Sequence, residues 1–348
     1  MAHQGLARDW VAPFPVDVRL TLSAHGRGLS DPTYQVDGVG AVWRTSLTPD
    51  GPGTIRVLPA TRAEPGPAAR ADPAPAARAD PAPGRRVLAH AWGPGGKWLL
   101  DTLPAILGLH DDVSGFDPAS HPVLRQVAKR HPGFRLGRTG RLMEALIPAI
   151  LEQKVVSLEA HRAWKILLNR YGTTPPGPAP RGMRVFPPPR TWRLIPSWEW
   201  HKAGVEGVRA QTIIRAATVA STLERLLEPV GETGVSNETA ASGESGASRA
   251  EEAGRKLRTL PGIGPWTSAE TLQRAAGDPD AVSVGDYNLP KAVGYALAGR
   301  ETTDDEQMLE LLEPYKGHRH RVARLVELSG LTPPRRGPRM SVRDYRSF

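Results

Sequence analysis

The feature that most constrains the fold of this chain is a single change of hydrophobic period near Trp98. Before it, from Pro15 to Pro59, the segments VDVRLTLSAHG, TYQVDGVGAVWRTSL and GTIRVLP alternate apolar and polar residues and are parted by Gly, Asp and Pro. Side chains of a strand point alternately to its two faces, so this pattern specifies half-buried antiparallel strands. RRVLAHAWG, from Arg85, resumes the same character. After Trp98 the apolar residues recur at helical spacing. KWLLDTLPAILGLHDD and HPVLRQVAKRHPG predict short helices, and the stretch from Arg138 to Gly172 predicts one or two longer ones. Further on, Ile213, Ile214, Ala217, Ala220 and Leu223 share one helix face. Thr303 and Glu306 have the spacing of a capping box, and HRHRVARLVELSG predicts a last helix. The expected fold is mostly α: a small N-terminal antiparallel sheet domain of α+β character (residues 1–97), an all-helical body (98–330) and a basic tail (331–348).

Two segments cannot contribute to a core. PAARADPAPAARADPAPG, from Pro67, is an eight-residue tandem repeat of Ala, Pro, Arg and Asp, expected as a flexible loop at 63–86 inside the sheet domain. GETGVSNETAASGESGASRAEEAG, from Gly231, is an acidic insert expected to be flexible at 229–250. Thr173 to Pro189 is a Pro-rich loop.

Charge narrows the class of partner. The net charge is +9, and its distribution is uneven: residues 121–225 carry 18 Lys/Arg against 6 Asp/Glu, whereas residues 1–120 carry 11 against 12. A positive block in the middle of the chain suits a polyanion, although an Arg-rich surface without a partner has the same composition. There is no cysteine, which removes disulfides, thiolate zinc sites and cysteine-held iron–sulfur clusters. The first twenty residues lack the apolar core of a secretion signal, and no stretch is long and apolar enough to cross a bilayer, so a cytoplasmic protein is expected.

The chemistry concentrates between Leu257 and Lys291. LPGIGPWTS, from Leu260, places Gly262 and Gly264 around Ile263, which permits a tight turn between two helices with Ile263 as its plug. The helix that follows would offer its first amides to a phosphate, a contact that grips a strand without reading a base. A plain helix–helix turn would use the same residues. VSVGDYNLPK follows, with Asp286 20 positions beyond Trp266. Asp286 suits either a catalytic carboxylate or the cap of a helix starting at that point, or both roles together.

Together these two motifs resemble the hairpin and the catalytic-aspartate loop of the helix-hairpin-helix base-excision DNA glycosylases, the AlkA-type 3-methyladenine-DNA glycosylases in particular. The resemblance covers roughly residues 98–330. It implies a partner, double-stranded DNA with a damaged base, and an enzyme that rotates the nucleotide out of the stack and hydrolyses its N-glycosidic bond. No cofactor and no metal are implied, and the protein would act as a monomer. By the resemblance Asp286 is the catalytic carboxylate, and Gly262, Ile263, Gly264 and Thr267 form the hairpin on the DNA backbone. Strand-cleaving relatives have a nucleophilic lysine where this sequence has Trp266, so a monofunctional enzyme is implied. Lys291 is expected on a phosphate or in solvent.

Trp266 and Tyr315, the latter in EPYKGHRHRVARL, would line the base pocket, whose electron-rich faces attract cationic alkylated purines. Core packing is the competing reading for both rings. Glu270 stands where the AlkA type can have another aromatic. AILEQKVVSLEAHRAW resembles the segment that approaches the DNA gap: Gln153 matches its polar residue, and Lys154 falls near the wedge, where an apolar side chain is usual. A solvated helix residue facing phosphate is the alternative for Lys154. Substrates other than alkylated purines, namely oxidised or deaminated bases, remain open within the same fold, as does a DNA-binding protein without turnover. Branches that carry a four-cysteine iron–sulfur cluster are disfavoured. A metal-dependent nuclease would need clustered carboxylates, and TTDDEQ reads better as a helix start.

Overall fold

The computed structural model describes residues 5–61, 84–228 and 246–334. The Pro/Ala-rich loop from residue 62 to 83, the acidic insert from 229 to 245 and the tail from 335 onward lie outside the described residues.

Five strands form one antiparallel sheet: β1 (Leu6–Val11), β2 (Tyr34–Val36), β3 (Val42–Thr48), β4 (Gly51–Val57) and β5 (Arg86–Trp92), in the order β1-β5-β4-β3-β2. Alternation sets which face is dry: Val87, Ala89 and Ala91 of β5 are buried, and Ile55 and Val57 of β4 join them. That face packs on α1 (Val18–Ser23), α2 (Gly96–Asp101) and α3 (Leu103–Ile106) through Val18, Leu22, Leu99, Leu100 and Leu103. The expected strand in VDVRLTLSAHG is thus a helix. Alternation over so few residues does not separate a strand from one helical turn. The Asp17 carboxylate, accepting from the Leu20 amide at 2.9 Å, closes that turn.

The helical body has two cores. The larger gathers α5 (Leu142–Leu151), α6 (Ser157–Tyr171), α7 (Pro189–Leu194), α8 (Ser197–Lys202), α9 (Gly207–Thr218), α10 (Ala220–Arg225), α11 (Gly246–Leu257) and α12 (Pro265–Ala275). Its axis is α5, buried all round except at Glu144, which is why its sequence shows no polar face. Glu144 is put to use: its Oε1 accepts from Ser46 Oγ at 2.8 Å and the Leu47 amide at 2.7 Å, fastening β3 to the body. Trp164, Trp192 and Trp200 stack with centroids 6.5 and 6.1 Å apart. Phe186, inside the Pro-rich segment, packs on Trp192 at 5.4 Å and orders that loop. The smaller core joins α4 (Pro122–Arg130), α13 (Leu289–Ala298), α14 (Asp305–Leu312) and α15 (Arg319–Ser329). Here the capping box is Asp304 with Gln307, one residue beyond the expected pair. Thr303 instead lies against Gly294, where a Cβ would stand 1.7 Å from its hydroxyl.

Candidate active site

The hairpin between α11 and α12 belongs to the larger core. Ile263 is buried in the larger core, so it contributes only backbone to the surface. The two glycines have different jobs. Gly262 has φ +96°, and a Cβ there would lie 2.2 Å from Thr212 Oγ1 of α9, so only glycine fits. Gly264 is extended, and a Cβ there would meet nothing within 4 Å. The space before α12 is therefore open on the side where its first amides, those of Trp266 and Thr267, lack partners within the helix.

The turn between α5 and α6 is tied to this hairpin. Gln153 Nε2 donates to the Gly262 carbonyl and to Thr267 Oγ1, both at 2.8 Å. The Thr267 side chain is thus buried toward Gln153, leaving its amide for a phosphate. Lys154, next in the chain, is exposed and adopts φ 55°. Among the described residues it is the one non-glycine in the left-handed region. A lysine in that conformation is disfavoured, and the Gln153 bonds on one side and the start of α6 on the other fix it there.

Asp286 stands where the loop after α12 turns into α13. Gly285, at φ +93°, makes the bend, and its amide donates to Asp305 Oδ2 at 3.0 Å. Asp286 Oδ1 accepts from the amides of Asn288 (2.7 Å) and Leu289 (2.9 Å), although the N-cap residue of α13 is Asn288, two positions on. Its Oδ2 accepts from Trp266 Nε1 at 3.2 Å. Three donors fix the carboxylate's orientation and leave part of Oδ2 free, and the residue is half-buried. The hairpin and the aspartate, 20 residues apart in sequence, meet through the indole. Trp266 packs in none of the three cores. Tyr315 packs on the smaller core, and among the described residues no ring contact joins it to Trp266. Lys291 Nζ sits 3.5 Å from the centroid of the exposed Tyr287 ring, beside the aspartate.

Behind α12 runs a network that the sequence did not reveal. Glu270, one turn beyond Trp266, accepts from Ser283 Oγ at 2.5 Å and from Arg274 at 2.7 Å. Ser283 in turn accepts from Gln273 Nε2 at 2.9 Å. Glu152, adjacent to Gln153, pairs with Arg27 at 3.0 Å. Burial opposes ionisation of Glu152, yet the Arg27 guanidinium, with His161 and Arg274, holds its pKa down to about 2. Arg27 and Arg274 line a cavity of about 30 Å³ together with Arg44, Glu144 and His25. Burial and the same three arginines hold His25 neutral, its pKa well below the usual imidazole value. The cavity thus lies between α12, through Arg274, and β3, through Arg44.

The sequence matches no protein-family model and no curated protein. The fold does match solved structures. A 3-methyladenine DNA-glycosylase from Archaeoglobus fulgidus superposes with a TM-score of 0.67 at 17% identity, over 93% of this chain and 98% of that one. The apo 8-oxoguanine glycosylase/lyase of Clostridium acetobutylicum gives 0.62 at 10% identity, over 94% and 99%. MBOgg1, in complex with a low-affinity DNA ligand, gives 0.61 at 15% identity, over 95% and 98%. The fold is that of the helix-hairpin-helix DNA glycosylases. In this glycosylase fold the sheet, the hairpin and the aspartate loop belong to one arrangement that spans nearly the whole chain, beyond the helical stretch on which the motifs lie. No helix among the described residues is long and apolar enough to cross a membrane, and no cluster of metal-ligating side chains occurs among them.

Proposed function

We propose that the protein is a monofunctional DNA glycosylase that hydrolyses the N-glycosidic bond of damaged purines in duplex DNA. The observation that carries this reading is Asp286 Oδ2, held by Trp266 Nε1 at 3.2 Å at the foot of a hairpin with free helix amides. A backbone grip and a carboxylate at one place suit a nucleotide rotated out of the stack, a step that costs a few kcal/mol. The carboxylate stabilises positive charge on the sugar as the base departs with the bonding electrons, and it orients or deprotonates the water that attacks the anomeric carbon. By the resemblance Trp266 stands where strand-cleaving relatives have their nucleophilic lysine, so base loss would leave an intact abasic strand.

The first substrate class is the alkylated purine of the 3-methyladenine type, cationic and matched to the face of Trp266. The A. fulgidus protein of this fold is a 3-methyladenine DNA-glycosylase. A second reading is an oxidised or deaminated base: the C. acetobutylicum 8-oxoguanine glycosylase/lyase shares this fold. Tyr315 belongs to the first reading as a pocket wall, and Gln153 with Lys154 serves both as the contact at the DNA gap.

The test is release of free bases from randomly methylated duplex DNA by the wild type and by Asp286→Asn, followed by alkali. The expected result is methylated purines released by the wild type alone, with strand breaks only after alkali. Release from an oxidised or deaminated panel and none from methylated DNA selects the second reading. DNA binding without release from any substrate refutes the enzyme.

A further inference from the structure

A loop from the sheet domain reaches the same turn that carries Gln153 and Lys154. It runs from His25 to Asp31, between α1 and β2, and Leu29 stands at its tip with a relative exposure of 108%. That side chain is as open as in an extended peptide and packs on nothing. The loop beneath it is fixed on both sides. Asp31, 1% exposed, accepts from the Arg27 amide (2.7 Å), the Thr33 amide (2.8 Å), Thr33 Oγ1 (2.9 Å) and Trp164 Nε1 (2.9 Å). Arg27 is paired with Glu152, one residue before Gln153. Gly28, at φ +77°, lies so close to α6 that a Cβ would stand 2.7 Å from His161 Nδ1. His161 itself is 3.7 Å from Glu152.

A lone exposed leucine on a surface is ordinary. This one sits on a loop immobilised by a buried carboxylate, an ion pair and a glycine contact: the ion pair ends on Glu152, beside Gln153 at the turn fastened to the hairpin, and the glycine packs on His161 of α6. We infer that Leu29 is an apolar wedge, which enters the base stack beside the nucleotide that leaves it. The inference rests on the glycosylase reading above. Apolar side chains do this work at kinked steps because they replace base–base contact without needing hydrogen bonds. Lys154 cannot: its ammonium must stay hydrated or meet a phosphate. The two residues divide the task, Lys154 on the backbone and Leu29 in the stack. Leu29 is a positioning residue, since it touches neither the sugar nor the departing base.

The test uses the full chain and a duplex with a tetrahydrofuran abasic site flanked by 2-aminopurine, whose fluorescence rises when it is unstacked. The wild type is expected to bind this duplex more tightly than an intact one and to raise the fluorescence. Leu29→Ala should bind about tenfold more weakly and lose the rise, the effect of exposing an aliphatic side chain that the complex buries. Leu29→Met should restore both, and Lys154→Ala should weaken binding while keeping the rise. Because Leu29 packs on nothing in the free protein, both Leu29 variants should melt with the wild type, which separates this role from a structural one. If the wild type selects the abasic duplex and Leu29→Ala matches it in affinity and fluorescence, the wedge is refuted and the glycosylase reading stands. If the wild type shows no preference for the abasic duplex yet releases damaged bases, the wedge alone falls; if it shows neither, both fall.

Discussion

Glu152→Gln probes the junction on which the site depends. The two side chains of the Arg27–Glu152 pair are 6% and 15% exposed, so their interaction is little screened by solvent. Glu152 titrates at about 2 against an ordinary 4.5. At about 1.4 kcal/mol per tenfold change in proton affinity, this corresponds to about 3 kcal/mol of folding free energy. The folded pKa is depressed, so the contribution is complete above pH 4.5 and is lost as pH falls toward 2. Glutamine keeps the shape and a carbonyl acceptor but leaves Arg27, whose burial already disfavours its charge, without a counter-ion. The variant should therefore be about 3 kcal/mol less stable at pH 7, and the difference from wild type should shrink through pH 4 and 3. Urea unfolding followed by tryptophan fluorescence at those pH values measures it. A loss under about 1 kcal/mol at pH 7, or a difference that does not change with pH, would refute the electrostatic account.

Two further substitutions separate folding from contact. Gly262→Ala should unfold with a loss of about 2 kcal/mol or more, since it forces a positive φ on alanine and a clash with Thr212. Gly264→Ala should melt within about 3 °C of the wild type yet bind duplex DNA more weakly, because its methyl group occupies only the open space before α12; equal affinity would remove the phosphate from that place. Arg321→Met strands Asp111, which is fully buried with it, and should cost about 3–5 kcal/mol in a thermal or urea melt.

How much of this was legible depends on the range of the interaction. The sheet-then-helices order, the hairpin and Asp286 were readable because each is set by local rules: period, glycine freedom and motif spacing. The miss at Val18–Ser23 is of the same kind, since six residues that alternate also fill one helical turn and Asp17 decides between them. The one-residue error at the last capping box arose because Thr303 and Asp304 are both good caps, and Thr303 is withdrawn by its packing on Gly294. What could not be read is everything that couples elements distant in sequence. Arg27 and Glu152 are separated by 125 positions, and Asp31 and Trp164 by 133. No periodicity relates such pairs, and a charged residue on a loop or helix end looks solvated until its partner is known.

The same reasoning explains why the residues that hold the candidate site were invisible in the sequence while its motifs were not. Asp286 and Trp266 announce themselves by position in motifs, whereas the residues that hold them are ordinary ones made specific by burial. Glu152 is the clearest case. In sequence it is an acidic residue between a buried helix and an exposed turn. In the structure it bonds the sheet-domain loop while its neighbour Gln153 bonds the hairpin. Two adjacent side chains thereby join three elements, β-sheet loop, α5–α6 turn and hairpin, into one rigid surface. Under the glycosylase reading proposed above, a surface that bends DNA would need that stiffness, because any compliance in the protein would absorb the strain meant to unstack the base.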